Sequence, residues 1–461
     1  MIAYQNRGEL ACSVMEETDM TGGVTFGRLW RRLAQITWLG TLAAGRMAVI
    51  WTTSKRSTRS ARLAVELVRL IEQLGGAFIK VGQIVATRVD LVGQTMAGEL
   101  SRLHDHVTPM TSDEAASTIQ RALGHVFYAT ADPIGAPVAS GSIASVYRAS
   151  QLDRTVALKV RRPRVGQAMA ADLAIIGWLA RTVTRVPAFR RVPIVEITDQ
   201  IGHCLISQLD FAAEADRLQR MRDHLAAVLG IYVPAVIPEL CGDGVIAMEF
   251  LEGLSHASIE QLPTPVREEE VAILVRAVYH LLFAAGFVHV DLHQGNTYFR
   301  PDGTVVLIDA GFTYELSRAA RRSFTEFFGG MIEGDGEACA DILHATVRGA
   351  ASAAANSEFR SRVADLVKRN TGSRVRDFNL SLFCVELFDL QRRYGLFAEP
   401  EFIFPMLCLL SLEGLVKKHH PHMDFQIEAA PYVMQSLLAE PPEMRTRDRA
   451  DSILTGNRGE S

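Results

Sequence analysis

Two carboxylates and one amide at fixed distances along the chain restrict its fold more than any other feature of the sequence. Asp291 and Asn296 lie five positions apart in the segment HVDLHQGN, and Asp309 follows thirteen positions later, after the apolar run VVLI. That run predicts a strand. A single loop aspartate is usually a turn residue. In this combination, Asp291 can orient an attacking hydroxyl, while Asn296 and Asp309 can hold a Mg²⁺ ion.

A lysine upstream adds the group that a kinase uses to neutralise nucleotide phosphates. Lys159 stands near the end of the segment TVALKV, which predicts a strand. Before it, a predicted turn of small residues separates two strands, and its members are Ala139, Ser140, Gly141 and Ser142. Small side chains let the backbone approach phosphates, with N–H groups and hydroxyls as donors. The turn differs from G-x-G-x-x-G, which argues against an ordinary protein kinase.

A third motif, KVGQ at residues 80–83, precedes the predicted small lobe and is followed by the patterns TRVDL and ELSRLHD. With this motif, the chain resembles the UbiB/AarF family of atypical kinases, whose hallmark is a K-x-G-Q motif in a helical extension. The small-residue turn, Lys159, the HVDLHQGN loop, Asp309 and a late LEG segment follow in the order of the family. The resemblance covers roughly residues 65 to 435.

Several features depart from the pattern of the family. Gly141 stands in a turn that is usually alanine-rich, and its backbone freedom is expected to alter the nucleotide preference. Gln208 replaces the first carboxylate of an E-x-D motif, which is expected to weaken contact between the extension and the lobes. Ala310 replaces the phenylalanine of D-F-G, so a phenylalanine-out switch is not expected. The HVDLHQGN loop lacks two family prolines and keeps every polar catalytic position.

The resemblance implies an α+β, two-lobed protein-kinase-like fold with an N-terminal helical K-x-G-Q extension and a mainly α-helical large lobe. The expected organisation begins with a variable leader of amphipathic character at 1–60. The helical extension is expected at 61–128. A small lobe with a helical insertion is expected at 129–254, a large lobe at 255–440 and a polar flexible tail at 441–461.

The resemblance also implies roles for individual side chains. In the family, a helical glutamate pairs with the strand lysine, and Glu214 is the expected partner of Lys159. Lys80 and Gln83 are expected to reach the nucleotide site from the extension and to gate access to it. The segment VIAMEFLEG predicts a strand that runs into a hinge, where backbone groups would bind adenine; its contact positions are Glu249 and Leu251. The catalytic residues would then be Asp291, Lys159 and Glu214.

The implied activity is that of an atypical kinase or ATPase that uses Mg²⁺ and ATP in isoprenoid-quinone (ubiquinone-like) or other lipid metabolism, together with a membrane-bound enzyme complex. Two alternatives stay open. One is a small-molecule phosphotransferase of the aminoglycoside or choline kinase type, against which the KVGQ motif argues. The other is a non-catalytic nucleotide-binding scaffold, and the joint presence of four site residues argues against it: Lys159, Asp291, Asn296 and Asp309.

Charge and the N-terminal segment bear on partners and location. The net charge of −4 and the pI near 6.4 give no reason to propose a nucleic-acid partner. The polar first 24 residues do not resemble a signal peptide, so a cytoplasmic location is expected. The apolar stretch 36–51 is interrupted by Arg46 and is too short for the ~20 residues of a membrane span. The arginines and tryptophans around it predict either a helix lying on the inner face of an anionic membrane, or one packed on the core with solvated arginines.

Overall fold

The computed structural model describes residues 26–87, 89–103, 110–130, 135–151, 154–185, 194–254, 258–292, 295–348, 353–371 and 379–439. The predictions for residues 1–25, for the polar tail at 441–461 and for His293 and Gln294 of the HVDLHQGN loop concern residues outside these ranges.

Within the described ranges, five helices precede the first strand, and the KVGQ motif lies on the third. Their bounds are Phe26–Thr53 (α1), Arg56–Leu74 (α2), Ala77–Thr87 (α3), Val89–Leu100 (α4) and Ser112–Thr130 (α5). The glycine of the motif allows close packing, because a Cβ on Gly82 would lie 2.5 Å from Cδ1 of Leu103. Val68, Leu100 and Leu103 form a small apolar core among these helices.

The small lobe contains an antiparallel four-stranded sheet in the order β1-β2-β3-β5. The strands are Ala139–Ser140 (β1), Ala144–Gln151 (β2), Arg154–Arg161 (β3) and Val245–Glu249 (β5), and a short strand, Ile231–Tyr232 (β4), pairs with the large lobe. α5 covers one face of the sheet, where Ile119 packs in the same cluster as Leu158 and Val160. Since side chains alternate along a strand, Lys159 points away from this cluster, towards the site.

Three helices lie between β3 and β4: Val165–Val183 (α6), Ile194–Ser207 (α7) and Phe211–Leu225 (α8). On α6, the apolar Leu179 is 38% exposed, whereas the charged Asp172 is buried. The helix that begins at Ile194 does not continue to Glu214. The chain instead leaves α7 at Ser207, and Asp210 caps a separate helix by accepting a 2.9 Å hydrogen bond from the Ala213 N–H.

The large lobe is mainly helical, as predicted. Its strands are Phe287–His289 (β6), Thr297–Phe299 (β7), Val305–Leu307 (β8), Thr313–Glu315 (β9), Val347–Arg348 (β10) and Phe397–Ala398 (β11). Its helices are Ser258–Gln261 (α9), Thr264–Tyr279 (α10), a π-helical turn His280–Ala285, Arg318–Glu333 (α11), Gly336–Ala345 (α12), Ala353–Thr371 (α13), Leu380–Tyr394 (α14), Pro400–His419 (α15) and Phe425–Leu438 (α16). Buried aromatic rings fill its centre, with the ring centroids of Phe327 and Phe402 4.9 Å apart.

The leader helix α1 is longer, and its arginines are more fully paired, than the sequence predicted. It is 28 residues long, and its part Trp30–Thr53 is the one described helix that is long and apolar enough to cross a membrane by length and composition. The prediction that this stretch is too short was therefore wrong. Two of its arginines are not simply solvated either, because Arg32 pairs with Asp172 and Arg46 with Glu66, both buried carboxylates.

Candidate functional site

Lys159 is the centre of an ion cluster that joins the small-lobe sheet to α8 and to the large lobe. Its ammonium donates to Glu214 on α8 and to Oδ2 of Asp309, at 2.7 Å, just beyond β8. The Lys159 side chain is 16% exposed and that of Glu214 is 4% exposed. Two carboxylates that are far apart in the chain thus share one ammonium group. The structure brings together the expected phosphate-binding Lys159, its expected partner Glu214 and Asp309, one of the two expected metal ligands.

Burial opposes each charge in this cluster, and pairing decides which charges persist. Burial favours neutral Lys159, but the nearby carboxylates of Asp309 and Glu214 raise its pKa above the ordinary value. Burial also acts to raise the pKa of Asp309, yet the Lys159 ammonium holds that pKa well below its usual range. The pKa of Glu214 is raised by burial and, despite Lys159, by the Asp309 carboxylate beside it. Lys159 is therefore a cation and Asp309 an anion at neutral pH.

The backbone around Asp309 is held from two sides. Oδ1 of Asp309 accepts a 2.7 Å hydrogen bond from the Gly311 N–H, which turns the carboxylate back over its own loop. Nε2 of His289 lies 2.8 Å from the Asp309 carbonyl oxygen, and Nε of Arg217 donates to the Ala310 carbonyl at 3.1 Å. After this turn the chain enters β9 and then α11, which Ser317 caps through the Ala320 N–H. Only a short connection therefore separates Asp309 from α11.

The loop that carries Asp291 and Asn296 is hydrogen-bonded to the end of the segment that contains β8 and leads to Asp309. The Asn296 amide nitrogen donates to the Asp291 carbonyl at 3.1 Å, and the Ile308 N–H donates to the Asn296 carbonyl at 3.1 Å. Both residues are half-buried. Asn296 is thus next to the residue that precedes Asp309, so the two expected metal ligands lie on adjacent chain segments.

The small-residue turn between β1 and β2 is narrow and contains polar atoms without partners. The Gly141 N–H donates to the Ala144 carbonyl at 2.8 Å, and Nε of Arg162 donates to the Gly141 carbonyl at 2.8 Å. The Ser140 and Ser145 hydroxyls are 3.0 Å apart. Among the described residues, Ser142 Oγ and Arg162 Nη2 are buried atoms with no hydrogen-bond partner. The Ser142 hydroxyl and the Arg162 guanidinium can both donate hydrogen bonds, so an anionic oxygen fits next to this narrow turn.

The predicted hinge has a polar support on its outer side. The Glu249 carboxylate accepts a 2.5 Å hydrogen bond from the Tyr232 hydroxyl, and the Glu249 N–H donates to the Ala235 carbonyl at 2.9 Å. Glu249 therefore contributes to the position of the hinge through its side chain, and Leu251 follows in the linker after β5.

The K-x-G-Q residues lie on α3. Gln83 donates from Nε2 to the Leu103 carbonyl at 3.3 Å, inside the extension, and Lys80 is half-buried one turn earlier on the same helix. In the described hydrogen bonds, Gln83 makes none with Lys159 or Asp309. A gating role for Lys80 and Gln83 stays a prediction.

Comparison with known proteins agrees with this geometry. Residues 102–343, just over half of the chain, match the model of the ABC1 atypical kinase-like domain. The chain belongs to this family. The resemblance to the UbiB/AarF atypical kinases and the predicted fold class are thereby confirmed.

Relatives of this chain include bacterial proteins called "Probable protein kinase UbiB". That of Aeromonas salmonicida is 28% identical over 406 residues, which cover 86% of this chain and 73% of that protein. That of Xanthomonas oryzae pv. oryzae is 28% identical over 401 residues, which cover 83% and 71%. A Mycobacterium tuberculosis protein solved in complex with erythromycin is 16% identical, with 90% of this chain and 98% of that chain covered and a TM-score of 0.47.

The sequence analysis did not identify three side chains that support the site: Arg162, Arg217 and Tyr232. Each contacts a site segment from another element, with the pair Arg217 and Ala310 separated by 93 positions. No local pattern marks such a contact, because an arginine on a helix or strand end is usually solvated. The sequence contains one signal, for Arg217: it follows Glu214 by three positions, a spacing that places both side chains on one face of a helix.

Proposed function

We propose that this ABC1 atypical kinase binds ATP with Mg²⁺ and either hydrolyses it or transfers its γ-phosphoryl group. The observation that carries the proposal is the buried cluster of Lys159, Glu214 and Asp309 beside a narrow turn with unpartnered donors. Lys159 pairs in register with Val146 of β2, which places it next to that turn. A cation, an anion and a turn of this kind at one site fit a nucleotide and a divalent metal ion.

The nucleotide-binding roles follow from charge and size. Lys159 neutralises phosphate oxygens, and Glu214 keeps the ammonium in place when Asp309 turns to other partners. The turn from Ala139 to Ser142 admits phosphate oxygens closely because its side chains are small, and the Ser142 hydroxyl donates to one of them. Backbone groups at Glu249 and Leu251 receive the adenine ring. Lys80 and Gln83 regulate access from the extension.

The metal-binding roles belong to Asn296 and Asp309. Carboxylate and amide oxygens are ligands that Mg²⁺ accepts, and Mg²⁺ commonly uses only one or two protein ligands together with phosphates. Because the Asn296 amide nitrogen donates to the Asp291 carbonyl, its amide oxygen is the end that would ligate the ion. A bound Mg²⁺ supplies positive charge that stabilises the leaving phosphate.

Asp291 has the remaining role. Its main-chain carbonyl accepts a hydrogen bond from Asn296, and Asn296 accepts one from Ile308, just after β8. These contacts keep Asp291 near the proposed metal ligands. There it accepts a hydrogen bond from the attacking hydroxyl or water and orients it. By the family's resemblance, the process served is isoprenoid-quinone, ubiquinone-like, or other lipid metabolism, in contact with an enzyme complex of that pathway.

The same proposal includes the expected division of the chain and a peripheral site on the inner face of the membrane. α1 carries no acidic residue, and its exposed side chains include Trp38 at 67%, Val49 at 60% and Trp51 at 60% exposure. Arg32 and Arg46 point inwards to buried carboxylates, so the outward face is largely apolar. Exposed basic residues lie near its two ends, Arg31 at one and Lys55 and Arg56 just beyond the other. Such a face suits an anionic lipid surface. The extension is proposed at 61–128, although α2 already begins at Arg56.

Phosphate release from Mg²⁺-ATP by the purified full chain tests the proposed activity. Asp309→Asn should abolish it, and Asp341→Asn, which changes an exposed carboxylate paired with Arg360, should leave it within twofold. Equal turnover in Asp309→Asn and wild type would refute the metal assignment. ATP binding without release would favour a scaffold, and release only with a soluble hydroxylated compound would favour a small-molecule phosphotransferase.

Sedimentation with vesicles tests the membrane contact separately. The wild type should bind vesicles that contain phosphatidylglycerol and bind neutral phosphatidylcholine vesicles weakly. Trp38→Glu should reduce binding several-fold, whereas Leu229→Glu, at an isolated residue that is 90% exposed, should not. Equal binding by the two variants would exclude α1 as the lipid contact.

A further inference from the structure

Three side chains on one face of α8 reach the segment that carries the proposed metal ligand. Glu214 pairs with Lys159, Arg217 donates to the Ala310 carbonyl and Arg220 pairs with Glu315 of β9. Residues spaced by three on a helix lie on one face. Along this face, α8 is therefore attached to Lys159 of β3, to the turn that follows Asp309 and to β9.

The central contact of this row is unusual because it reaches main chain. Ala310 is fully buried, and its carbonyl oxygen accepts from Nε of Arg217 at 3.1 Å. The preceding carbonyl, of Asp309, lies 2.8 Å from Nε2 of His289 on β6. Two successive peptide groups are thus held from opposite elements, one by a guanidinium and one by an imidazole.

The orientation of the Asp309 carboxylate depends on these same peptides. Its Oδ1 accepts from the Gly311 N–H at 2.7 Å, and a Cβ on Gly311 would lie 3.0 Å from that oxygen. A rotation of the Ala310 carbonyl would move the Gly311 N–H, because the two belong to the same planar peptide group. The direction in which Asp309 presents its oxygens therefore follows the position of the Ala310 carbonyl.

A large side chain at position 310 could anchor such a turn by packing, but an alanine offers only a methyl group. The guanidinium instead provides a rigid, charged donor, which binds a buried carbonyl strongly. We propose that Arg217 is a positioning residue for the metal: by holding the Ala310 carbonyl, it keeps the Asp309 carboxylate aimed at the bound divalent ion. This inference rests on the proposed function, because it assumes that Asp309 ligates that ion.

Direct metal binding tests the inference without requiring turnover. Mn²⁺ is titrated into the full chain with a non-hydrolysable ATP analogue, and binding is followed by the electron paramagnetic resonance signal of free Mn²⁺. Arg217→Ala should weaken Mn²⁺ binding about tenfold or more, as loss of a group that orients a ligand does. Affinity for the analogue without metal should change less than twofold. Arg217→Lys keeps the charge without the planar guanidinium, and its Mn²⁺ affinity should lie between those of the wild type and Arg217→Ala.

A matched control lies on the same helix. Arg222 also donates its guanidinium to a main-chain carbonyl, that of Val233, on the other side of α8. Arg222→Ala removes the same type of contact and should leave Mn²⁺ affinity within twofold. A thermal melt of each variant reports the purely structural cost of either change.

The outcomes separate cleanly. Weaker Mn²⁺ binding in both Arg217 variants but not in Arg222→Ala supports the inference. Unchanged Mn²⁺ affinity in Arg217→Lys or Arg217→Ala, even with a lowered melting temperature, overturns it and makes Arg217 a structural residue. If Arg217→Ala does not fold, Arg217→Lys decides alone. If the wild type binds no Mn²⁺ with the analogue, the proposed function itself fails, and this inference fails with it.

Discussion

Arg32 of the leader helix and Asp172 of α6 form a two-point ion pair across 140 positions of the chain. Nε of Arg32 lies 2.8 Å from Oδ1, and Nη2 lies 2.9 Å from Oδ2. The Ala77 N–H, at the start of α3, lies 3.4 Å from the same Oδ2. A carboxylate at a helix N-terminus also interacts favourably with the helix dipole. Asp172 thus connects the leader helix, the small-lobe insertion and the K-x-G-Q helix.

Asp172→Asn should loosen all three elements. The substitution keeps the size of the side chain and removes its charge, so Arg32 loses its partner. Since Asp172 is 6% exposed and Arg32 is 23% exposed, we expect a loss of about 2 kcal/mol, less than for a fully buried pair. Urea unfolding and hydrogen exchange over residues 26–87 would measure it. Arg102→Ala, in an exposed pair with Glu99, should cost less than about 0.5 kcal/mol.

Gly82→Ala should destabilise the extension by steric overlap. The new Cβ would lie 2.5 Å from Leu103 Cδ1 and 3.4 Å from Ile71 Cγ2, so neighbouring side chains must move. Overpacking of this kind costs about 1–3 kcal/mol. Combining it with Leu103→Ala should recover part of the loss in a double-mutant cycle. Strictly additive losses would show that the overlap with Leu103 is not the cause.

Ser142→Ala should affect ATP more than it affects the fold. The Ser142 hydroxyl oxygen is buried without a partner among the described residues, so its removal leaves no broken bond in the free protein. A hydrogen bond to a charged phosphate contributes about 1.5–3 kcal/mol, which predicts roughly tenfold weaker ATP binding or more. Calorimetry with ATP and a thermal melt would separate the effects. Ser140→Ala, whose hydroxyl already contacts Ser145, is the matched control and should alter ATP affinity less.

Glu270→Gln should remove a pH-dependent loss of stability. Glu270 is fully buried on α10, and both carboxyl oxygens lack partners among the described residues. Burial, with a smaller contribution from Asp302, raises the pKa of Glu270 from 4.5 to about 7. The unfolded chain therefore releases this proton at lower pH than the folded one, and stability falls as pH rises from about 4.5 to about 7.

The size of that effect can be measured by comparison with the variant. The shift in the pKa of Glu270 corresponds to a cost of about 3 kcal/mol above pH 7. Denaturation at pH 5 and pH 8 should show a larger decline for the wild type than for Glu270→Gln. Parallel declines would mean that the pKa of Glu270 is not raised, because a partner group in the folded protein keeps its carboxylate ionised.

Much of the candidate site was predictable because local patterns specify it. The strand that carries Lys159 and the strand before Asp309 are short apolar runs, and the structure contains both. The helix with Glu214 was also predicted, but its beginning was not, because Asp210 acts as a cap that the apolar spacing does not reveal. The length of α1 was underestimated for a similar reason: Arg46 interrupts the apolar stretch in the sequence, while Glu66 neutralises it in the fold.

The order of the motifs and the alternation of side chains along β3 were determined by the sequence itself, because each depends on neighbouring residues and on backbone geometry. Only the tertiary structure decided that Arg217 holds Ala310, that Asp172 is buried against Arg32, and that the outward face of α1 is apolar. Each of these depends on a charged group that meets its partner from a distant part of the chain. In the sequence, such a charge indicates a solvated position, and its burial becomes favourable only once folding brings the opposite charge or the carbonyl within hydrogen-bond distance.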